Sequence, residues 1–366
     1  MSHDESTEMF RDSARNFLSA VDQRHRVRAL EASGGGFDRS TWRQLAELGW
    51  LSILVPESDG GLGLGIAEVC AIATEVGRWL LPEPFIDAGV HPVALLAPLP
   101  PGGLRDEVLA GILSGETVAG VAWQERAGEV GAGKGLTSVA ARGDAVRLNG
   151  QKRFVRPGSG ADGWIVSASL GDELALVWIN AKSAGLRVDD EFGVDGCVTA
   201  TLSFDDAPAR LLAQGDAAGA ALQAANELAR IAQGAELAGI ARRSLELTRE
   251  YMTTRVQFGK PIGSFQALQH RAADMRIAVE QARALALMAA AHVESPDRAM
   301  RRRAVSAAKA MAGRSGRYVG QQATQLHGGM GMTDEMACGH YFKRLTAIDM
   351  TLGNTDHHVE AYGEFL

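Results

Sequence analysis

Cysteine is scarce: Cys70, Cys197 and Cys338 are the only three in 366 residues. They are odd in number, far apart and without a C-x-x-C partner, which argues against a disulfide framework and a thiolate metal site and fits a reducing cytoplasm. Long apolar runs are missing too. Arg, Glu or Gln interrupts even the longest helical stretches before the roughly 18 apolar residues of a membrane span accumulate, so no membrane insertion is expected. The first ten residues carry acidic side chains and no apolar centre of signal-peptide length. Nor is there an excess of positive charge. Thirty-seven Lys and Arg stand against 44 Asp and Glu, a net charge of -7, which disfavours general attraction to nucleic acid or anionic lipid. The expected ligand is small. Glycine, by contrast, is abundant at 43 residues, which points to tight turns and close backbone approaches.

Three periodicities follow one another along the chain. Residues 1–115 read as a helical domain, with helices over Glu5 to Val21, Ser40 to Leu48 and Ile66 to Leu81, the last ended by Pro82 because a residue before proline is pushed out of the helical region. In residues 116–208 the period falls to two. Val198, Ala200, Leu202 and Phe204 alternate with Thr199, Thr201 and Ser203, as on a strand with one buried face, and Asn149-Gly150 reads as a type I′ hairpin turn. With further strands around Trp164 to Val166 and Leu174 to Ile179, a small β-barrel or sandwich is expected. Residues 209–366 return to helix. Two adjacent apolar stripes, one through Ala225, Leu228, Ala232, Ala235 and Gly239 and one through Ile231, Gly234, Ala238, Ala241 and Leu245, require burial on two sides. Helices from Phe265 to Val293 and from Pro296 to about Gly328 complete a four-helix bundle. The fold class is α+β.

Two strings are chemically distinctive. In Arg255-Val-Gln-Phe-Gly-Lys-Pro-Ile-Gly-Ser-Phe-Gln-Ala-Leu-Gln-His270 an Arg lies in the last turn of a helix, and two Gln and a His open the next. Such an Arg either complements the helix dipole or grips a phosphate with its planar fork, while Gln offers donors and acceptors to a heterocycle. In Gln325-Leu-His-Gly-Gly-Met-Gly-Met-Thr-Asp-Glu335 consecutive glycines either cap a helix or admit a diphosphate to the main chain; the string is not a GxGxxG fingerprint and follows a helix rather than a strand. Arg301, Arg302, Arg303, Lys309, Arg314 and Arg317 read as a solvated helix face. His357-His358 lacks the surrounding ligands of a metal site, so no metal is expected.

These strings, with Val55-Pro-Glu-x-x-Gly-Gly-Leu-Gly and Leu148-Asn-Gly-Gln-Lys, resemble landmarks of the acyl-CoA dehydrogenase flavoproteins over nearly the whole chain. The resemblance implies FAD extended at a subunit interface, with Arg255, Phe258 and Gln266 meeting one FAD and Gln325, Gly328 and Gly329 supplied to a neighbouring subunit's FAD. It further implies an oligomer, an acyl-CoA substrate, and an electron-transferring flavoprotein as acceptor. In the family's reaction a carboxylate takes the α proton of the thioester and the flavin takes the β hydride.

This sequence departs from that pattern at the base. Matching Gly353 of Thr351-Leu-Gly-Asn-Thr355 to the family puts Leu352 where the glutamate belongs, and the alternative position, just before Arg230, holds Ala229. Neither side chain can take a proton, so no catalytic residue is expected at either place. Substitutes are Asp349, which otherwise reads as a solvated surface carboxylate, and Glu227. In the β domain Phe154-Val155-Arg156 replaces an aromatic-aliphatic-Thr triplet, and Trp123-Gln-Glu-Arg126 lacks the Thr-Glu-Pro pattern. The chain thus resembles the base-lacking subunit of bacterial α2β2 dehydrogenases that act on CoA thioesters of sterol side chains or other bulky acyl groups, a homologous partner supplying the glutamate. The other readings are a self-sufficient homotetramer with an unusual base and a non-catalytic scaffold subunit.

Overall fold

The structure, a computed structural model, describes residues 3–20, 23–32, 36–131, 135–142 and 145–364. Its helices are α1 (His3–Ser19), α2 (Gln23–Ala32), α3 (Arg39–Glu47), α4 (Ile66–Trp79), α5 (His91–Leu96), α6 (Gly103–Leu113), α7 (Gly215–Thr254), α8 (Gln266–His292), α9 (Arg298–His327), α10 (Ala337–Asp349) and α11 (Thr355–Gly363). Its strands are β1 (Ala119–Ala122), β2 (Ser138–Arg142), β3 (Ala145–Val155), β4 (Gly163–Leu170), β5 (Glu173–Asn180), β6 (Leu186–Phe192), β7 (Val198–Gln214), β8 (Val256–Gln257) and β9 (Lys260–Pro261). The backbone groups into two compact units. One comprises Met1–His25, Ile66–Leu81 and Arg230–Leu366; the other comprises Arg26–Gly65 and Pro82–Ala229.

In the first unit α1 and α4 accompany the C-terminal part of α7 and the helices α8 to α11. Residues 231–241 of α7 are buried without interruption, as two apolar stripes demand, and Leu237, Ile240, Val319, Tyr341 and Leu345 share one core. Small residues set the approach of α4 to α7. A Cβ on Gly239 would collide with the carbonyl oxygen of Thr74 and stand 2.8 Å from its carbonyl carbon, and one on Gly77 would strike the backbone of Glu236. Gly239→Ala is therefore expected to cost about 1–3 kcal/mol, seen as a lower denaturant midpoint; an unchanged midpoint would mean that the two helices part at no cost.

Helix ends follow local chemistry. Asp38 caps α3 by accepting from the Thr41 N–H at 2.7 Å, and Asp297 caps α9 through Ala299 and Met300. The first helix ends at Ser19; the expected end, Val21, lies outside the described residues. The third expected helix ends at Trp79 rather than Leu81, because Leu80 already turns left-handed at φ 55°. Helices α2, α5 and α6 went unread in the sequence.

In the second unit the strand pairing closes on itself: β4, β2, β3, β7 and β5 form a ring in that order and β5 pairs back to β4, with β1 added to β4 and β6 to β7. The ring is a small barrel, and Leu148, Trp164, Val177, Ile179 and Leu202 fill its core. The alternation read in 198–204 holds from Ala200 onward, with Ala200, Leu202 and Phe204 buried and Thr201 and Ser203 half-buried, whereas Val198 is half-buried like Thr199. The expected hairpin at Asn149-Gly150 is not. Strand β3 runs straight through both residues, and its register against β7 shifts between Leu148 and Gly150, a bulge. Gly150 spends its positive φ of 126° on that bulge, where a Cβ would come 2.7 Å from the Thr137 Cα.

Candidate functional site

Three loops of the first unit carry the chemistry. Helix α7 ends at Thr254, so Arg255 is the first residue past the helix rather than a member of its last turn; its N–H donates to Tyr251 at 2.8 Å. Strands β8 and β9 then form a two-residue hairpin whose tip, Phe258-Gly259, has φ of 53° and 79°. Left-handed geometry costs a bulky residue on the order of 1–2 kcal/mol, yet here it displays the Phe258 ring at 91% exposure. One edge of the ring meets Phe265, with centroids 6.1 Å apart. Gln266 opens α8 and is exposed, and the Gln269 amide ties the connection back by donating to the Gly263 carbonyl at 2.8 Å.

The second loop follows α9. Gly328 caps the helix at φ 61°, and a tight turn runs from Gly328 to Met332. Gln325, Gly328 and Gly329 are exposed, and nothing lies within 4 Å of where a Cβ on either glycine would stand. Gly331 differs, since its Cβ would come 2.6 Å from the Thr324 carbonyl oxygen. The two loops share one end of the bundle: His327 stacks on Tyr251 with ring centroids 4.5 Å apart. His327 donates from Nδ1 to the Ala323 carbonyl at 2.8 Å, and burial lowers its pKa, so the ring is neutral. Its role was not legible in the sequence, where it reads as one polar residue in a glycine string.

These residues suit an extended dinucleotide. Among the described residues the Arg255 guanidinium makes no ion pair, an aromatic ring is held out in strained backbone, and two glycines leave open space beside the main chain. Arg255, Phe258, Gln266, Gln325, Gly328 and Gly329 all reach solvent at the same end of the bundle.

The third loop joins α10 to α11. Leu352 is 7% exposed and left-handed at φ 54°, followed by Gly353 at φ 98°. Its carbonyl accepts from Arg230 Nε at 2.9 Å and from His358 Nε2 at 3.1 Å. Lys309, wholly buried, donates from Nζ to the carbonyls of Ile348, Asp349 and Gly353 at 3.0, 3.3 and 3.2 Å. Lys309 is thus not part of a solvated face, although its neighbours Arg302, Arg314 and Arg317 are exposed. Asp349 is also not the surface carboxylate expected. It is 4% exposed, accepts from Thr355 Oγ1 at 2.8 Å and pairs with Arg317 at 3.2 Å. Glycine at 313 makes room for it, since a Cβ there would fall on both the Asp349 and Thr355 side chains. Of the other carboxylates, Glu236 pairs with Arg344 at 2.8 Å, and the buried Glu227 accepts from Gln223 at 3.0 Å. Ala229 is fully buried.

His358 is 2% exposed. With Nε2 donating to Leu352, its Nδ1 is buried without a hydrogen-bond partner among the described residues, and a proton there would have no acceptor among them. Burial, with Arg230 and Lys309 nearby, pushes its pKa from 6.5 down to about 2. The folded value lies below the unfolded one, so this stabilisation is complete above pH 6.5 and is lost as pH falls toward 2. Relative to His358→Gln, the native chain is expected to lose about 2 kcal/mol between pH 6.5 and 5, at ~1.4 kcal/mol per unit; equal acid slopes in urea titrations would refute it. The His357 and His358 rings meet edge to face at 5.0 Å, so these neighbours do not point wholly apart. Among the described residues no group of three His, Cys, Asp or Glu can hold a metal, and no helix is long and apolar enough to cross a membrane.

In the second unit Lys152 of the Leu148-Asn-Gly-Gln-Lys string is 1% exposed and donates to Glu125 at 2.8 Å and to the Trp123 carbonyl at 3.2 Å. Although burial opposes it, the Lys152 bond and the N–H groups of Thr137 and Leu136 hold Glu125 down at about 2. Arg156 is turned into ion pairs with Asp195 at 3.3 Å and Asp87 at 3.8 Å, while Phe154, at φ 56°, stays 40% exposed.

Comparison with known proteins agrees with this architecture. Residues 4–116 match the acyl-CoA dehydrogenase N-terminal domain and residues 219–366 the acyl-CoA dehydrogenase C-terminal domain. The chain is 30% identical over 345 residues to acyl-CoA dehydrogenase IpdE2 of Mycobacterium tuberculosis, covering 94% of this chain and 92% of the relative. It is 29% identical over 359 residues to acyl-CoA dehydrogenase FadE27 of the same organism, covering 95% and 94%. Among solved structures it is similar to a Tcur3481-Tcur3483 steroid ACAD variant, at TM-score 0.90 and 30% identity over 100% of this chain and 98% of that one. It is also similar to the ChsE4-ChsE5 complex of Mycobacterium tuberculosis, at TM-score 0.89 and 27% identity over 98% and 96%. Helical and barrel units, the two glycine-bearing loops and these likenesses converge: the chain belongs to the FAD-dependent acyl-CoA dehydrogenase family, oxidoreductases that act on CH–CH bonds.

Proposed function

We propose that this chain is the base-lacking subunit of a hetero-oligomeric acyl-CoA dehydrogenase. It contributes to an FAD site, and a homologous partner, in an α2β2 assembly, supplies the carboxylate that removes the α proton. The observation that carries this reading is the loop around Leu352. Its backbone is held by Arg230, the buried Lys309 and the neutral His358, yet the side chain presented there is leucine. Of the two substitutes, Asp349 is committed to Arg317 and Thr355, and the buried Glu227 accepts from Gln223. That commitment argues against the self-sufficient homotetramer.

FAD, when bound, supplies the acceptor for the β hydride. The chain's own residues do the holding. Arg255 offers a planar fork of charge-assisted donors to diphosphate or ring oxygens. Gly328 and Gly329 let the main chain approach without a Cβ in the way, Phe258 presents an apolar ring, and Gln266 and Gln325 offer amide donors and acceptors. The substrate is an acyl-CoA, and the likeness to a steroid ACAD and to the ChsE4-ChsE5 complex supports a sterol side chain or similarly bulky acyl group. The proposal includes a cytoplasmic reaction with an electron-transferring flavoprotein as acceptor.

The test is the visible flavin absorbance of the purified chain, with flavin counted per protomer, before and after anaerobic addition of an acyl-CoA panel. No acyl-CoA is expected to bleach flavin held by this chain alone, and Arg255→Ala is expected to weaken flavin binding by the assembly at least about tenfold, the loss of one charge-assisted bond. Bleaching in the isolated chain would overturn the proposal, because it requires a base within it.

A further inference from the structure

Buried polar groups are hydrogen-bonded as a rule, and among the buried side chains of α7 the rule has one exception. Asn226 shares a hydrogen bond with His91 at 2.8 Å, Glu227 accepts from Gln223 at 3.0 Å, Ser244 donates to the Ile240 carbonyl at 3.0 Å and Thr248 to the Ser244 carbonyl at 2.7 Å. Gln233 differs. It is 3% exposed, and its Oε1 is buried without a hydrogen-bond partner among the described residues. An amide carbonyl taken out of water and left unpaired works against folding, whereas leucine or methionine would fill much the same space without that penalty. A buried group that weakens the fold and that packing does not require is expected where a ligand completes it.

Its neighbours place it. Arg230, three residues before, donates from Nε to the Leu352 carbonyl at 2.9 Å, and Glu236, three residues after, accepts from Arg344 of α10 at 2.8 Å. Residues three apart share a helix face, so Gln233 stands between these two bonds, on the side of α7 turned toward α10 and the turn at Leu352. Leu352 holds the place matched to the family's base, and a base that takes the α proton has to reach the α carbon. A side chain beside that turn therefore faces the acyl part of a bound thioester rather than its nucleotide end. Oε1 accepts, so what completes it is a donor. A saturated hydrocarbon chain has none and leaves the oxygen dry in the complex as well. A hydroxyl on the acyl group supplies the missing O–H. We infer that Gln233 is a specificity-determining residue that accepts a hydrogen bond from such a hydroxyl, so that the preferred substrate is a hydroxylated acyl-CoA rather than its unsubstituted parent. The inference rests on the acyl-CoA reading and narrows its substrate class. A site built to bond a substrate hydroxyl discriminates against the analogue that lacks it, because the acceptor is then left unpaired.

Cyclohexylpropanoyl-CoA, the set of its ring-monohydroxylated isomers and free CoA are titrated calorimetrically into the full chain, native and carrying Gln233→Leu or Gln233→Met. At least one hydroxylated isomer is expected to bind the native chain about tenfold or more tighter than the parent, and in both variants that preference should vanish or reverse. Urea midpoints of the variants should equal or exceed the native one, since each change removes an unpaired acceptor. Native binding that favours no hydroxylated isomer, or a preference that survives both substitutions, overturns the assignment. So does an equal loss of affinity for the parent and for free CoA in the variants, which makes Oε1 a contact for a pantetheine N–H, and so does a lower midpoint in both, which makes it the seat of a structural water. Absence of binding by every acyl-CoA of the set sinks the acyl-CoA reading together with this one. Bleaching of flavin in the isolated chain removes only the partner's carboxylate and leaves the hydroxyl preference standing.

Discussion

Leu352→Glu will give this chain acyl-CoA-dependent bleaching of its bound flavin, where the native chain gives none. The expectation follows from how the loop is held. The turn is fixed largely through backbone oxygens: Arg230 and His358 on Leu352, Lys309 on Ile348, Asp349 and Gly353. None depends on the side chain at 352, so the left-handed turn at φ 54° followed by Gly353 at φ 98° will survive the change. A glutamate there will lie close to Arg230, whose Nε is already 2.9 Å from the residue's carbonyl. That charge favours the ionised form needed to take a proton. A positioned general base is worth on the order of 10²–10⁴ in rate, which anaerobic stopped-flow absorbance resolves easily. Leu352→Gln, equal in shape but unable to accept the proton, is the control. A Leu352→Glu protein that keeps its flavin and stays inert would show that more than one side chain separates this subunit from a complete dehydrogenase.

What could be read in advance was local or periodic. The alternation through Ala200 to Phe204 and the double stripe of α7 translate directly into burial, since each needs only a period and a face. The two glycine-bearing strings were legible as helix ends, since glycine supplies left-handed turns after Thr254 and His327. Misreadings arose where a distant segment decided the matter. Asn149-Gly150 is a turn by its own chemistry, but β7 and Thr137 flank it, and the same glycine freedom serves a bulge in a continuous strand. Asp349 looked solvated because nothing near it in sequence shows that Gly313, 36 residues earlier by the numbering, opens a place for its carboxylate. Lys309 looked like one more cation on an arginine-rich helix face. Only the carbonyls of the α10–α11 loop mark it as the interior member.

That interior position makes Lys309→Met the most damaging single change expected in the bundle, at about 3–5 kcal/mol, the usual cost of removing one partner from a buried ionic arrangement. Three carbonyl oxygens at 3.0–3.3 Å match the three N–H groups of an ammonium. Methionine fills the volume but removes the donor that the three carbonyls share, leaving Ile348 its bonds from Thr351. The pH dependence gives a second, independent check. Burial drives the Lys309 pKa from 10.5 down to about 7, with Asp349 and Glu236 opposing the shift and Arg230 adding to it. Because the folded value lies below the unfolded one, the unfolded chain keeps a proton between pH 7 and 10.5 that the folded chain has released, and the native protein gains stability as pH rises through that window. The gain is bounded at about 1.4 kcal/mol per pH unit. The gap between native and Lys309→Met should therefore be flat below about pH 7 and widen above it when the two are unfolded in urea side by side. Parallel curves up to pH 9 would show instead that the three carbonyls keep the ammonium charged, and that the α10–α11 loop is pinned equally at every pH in that range.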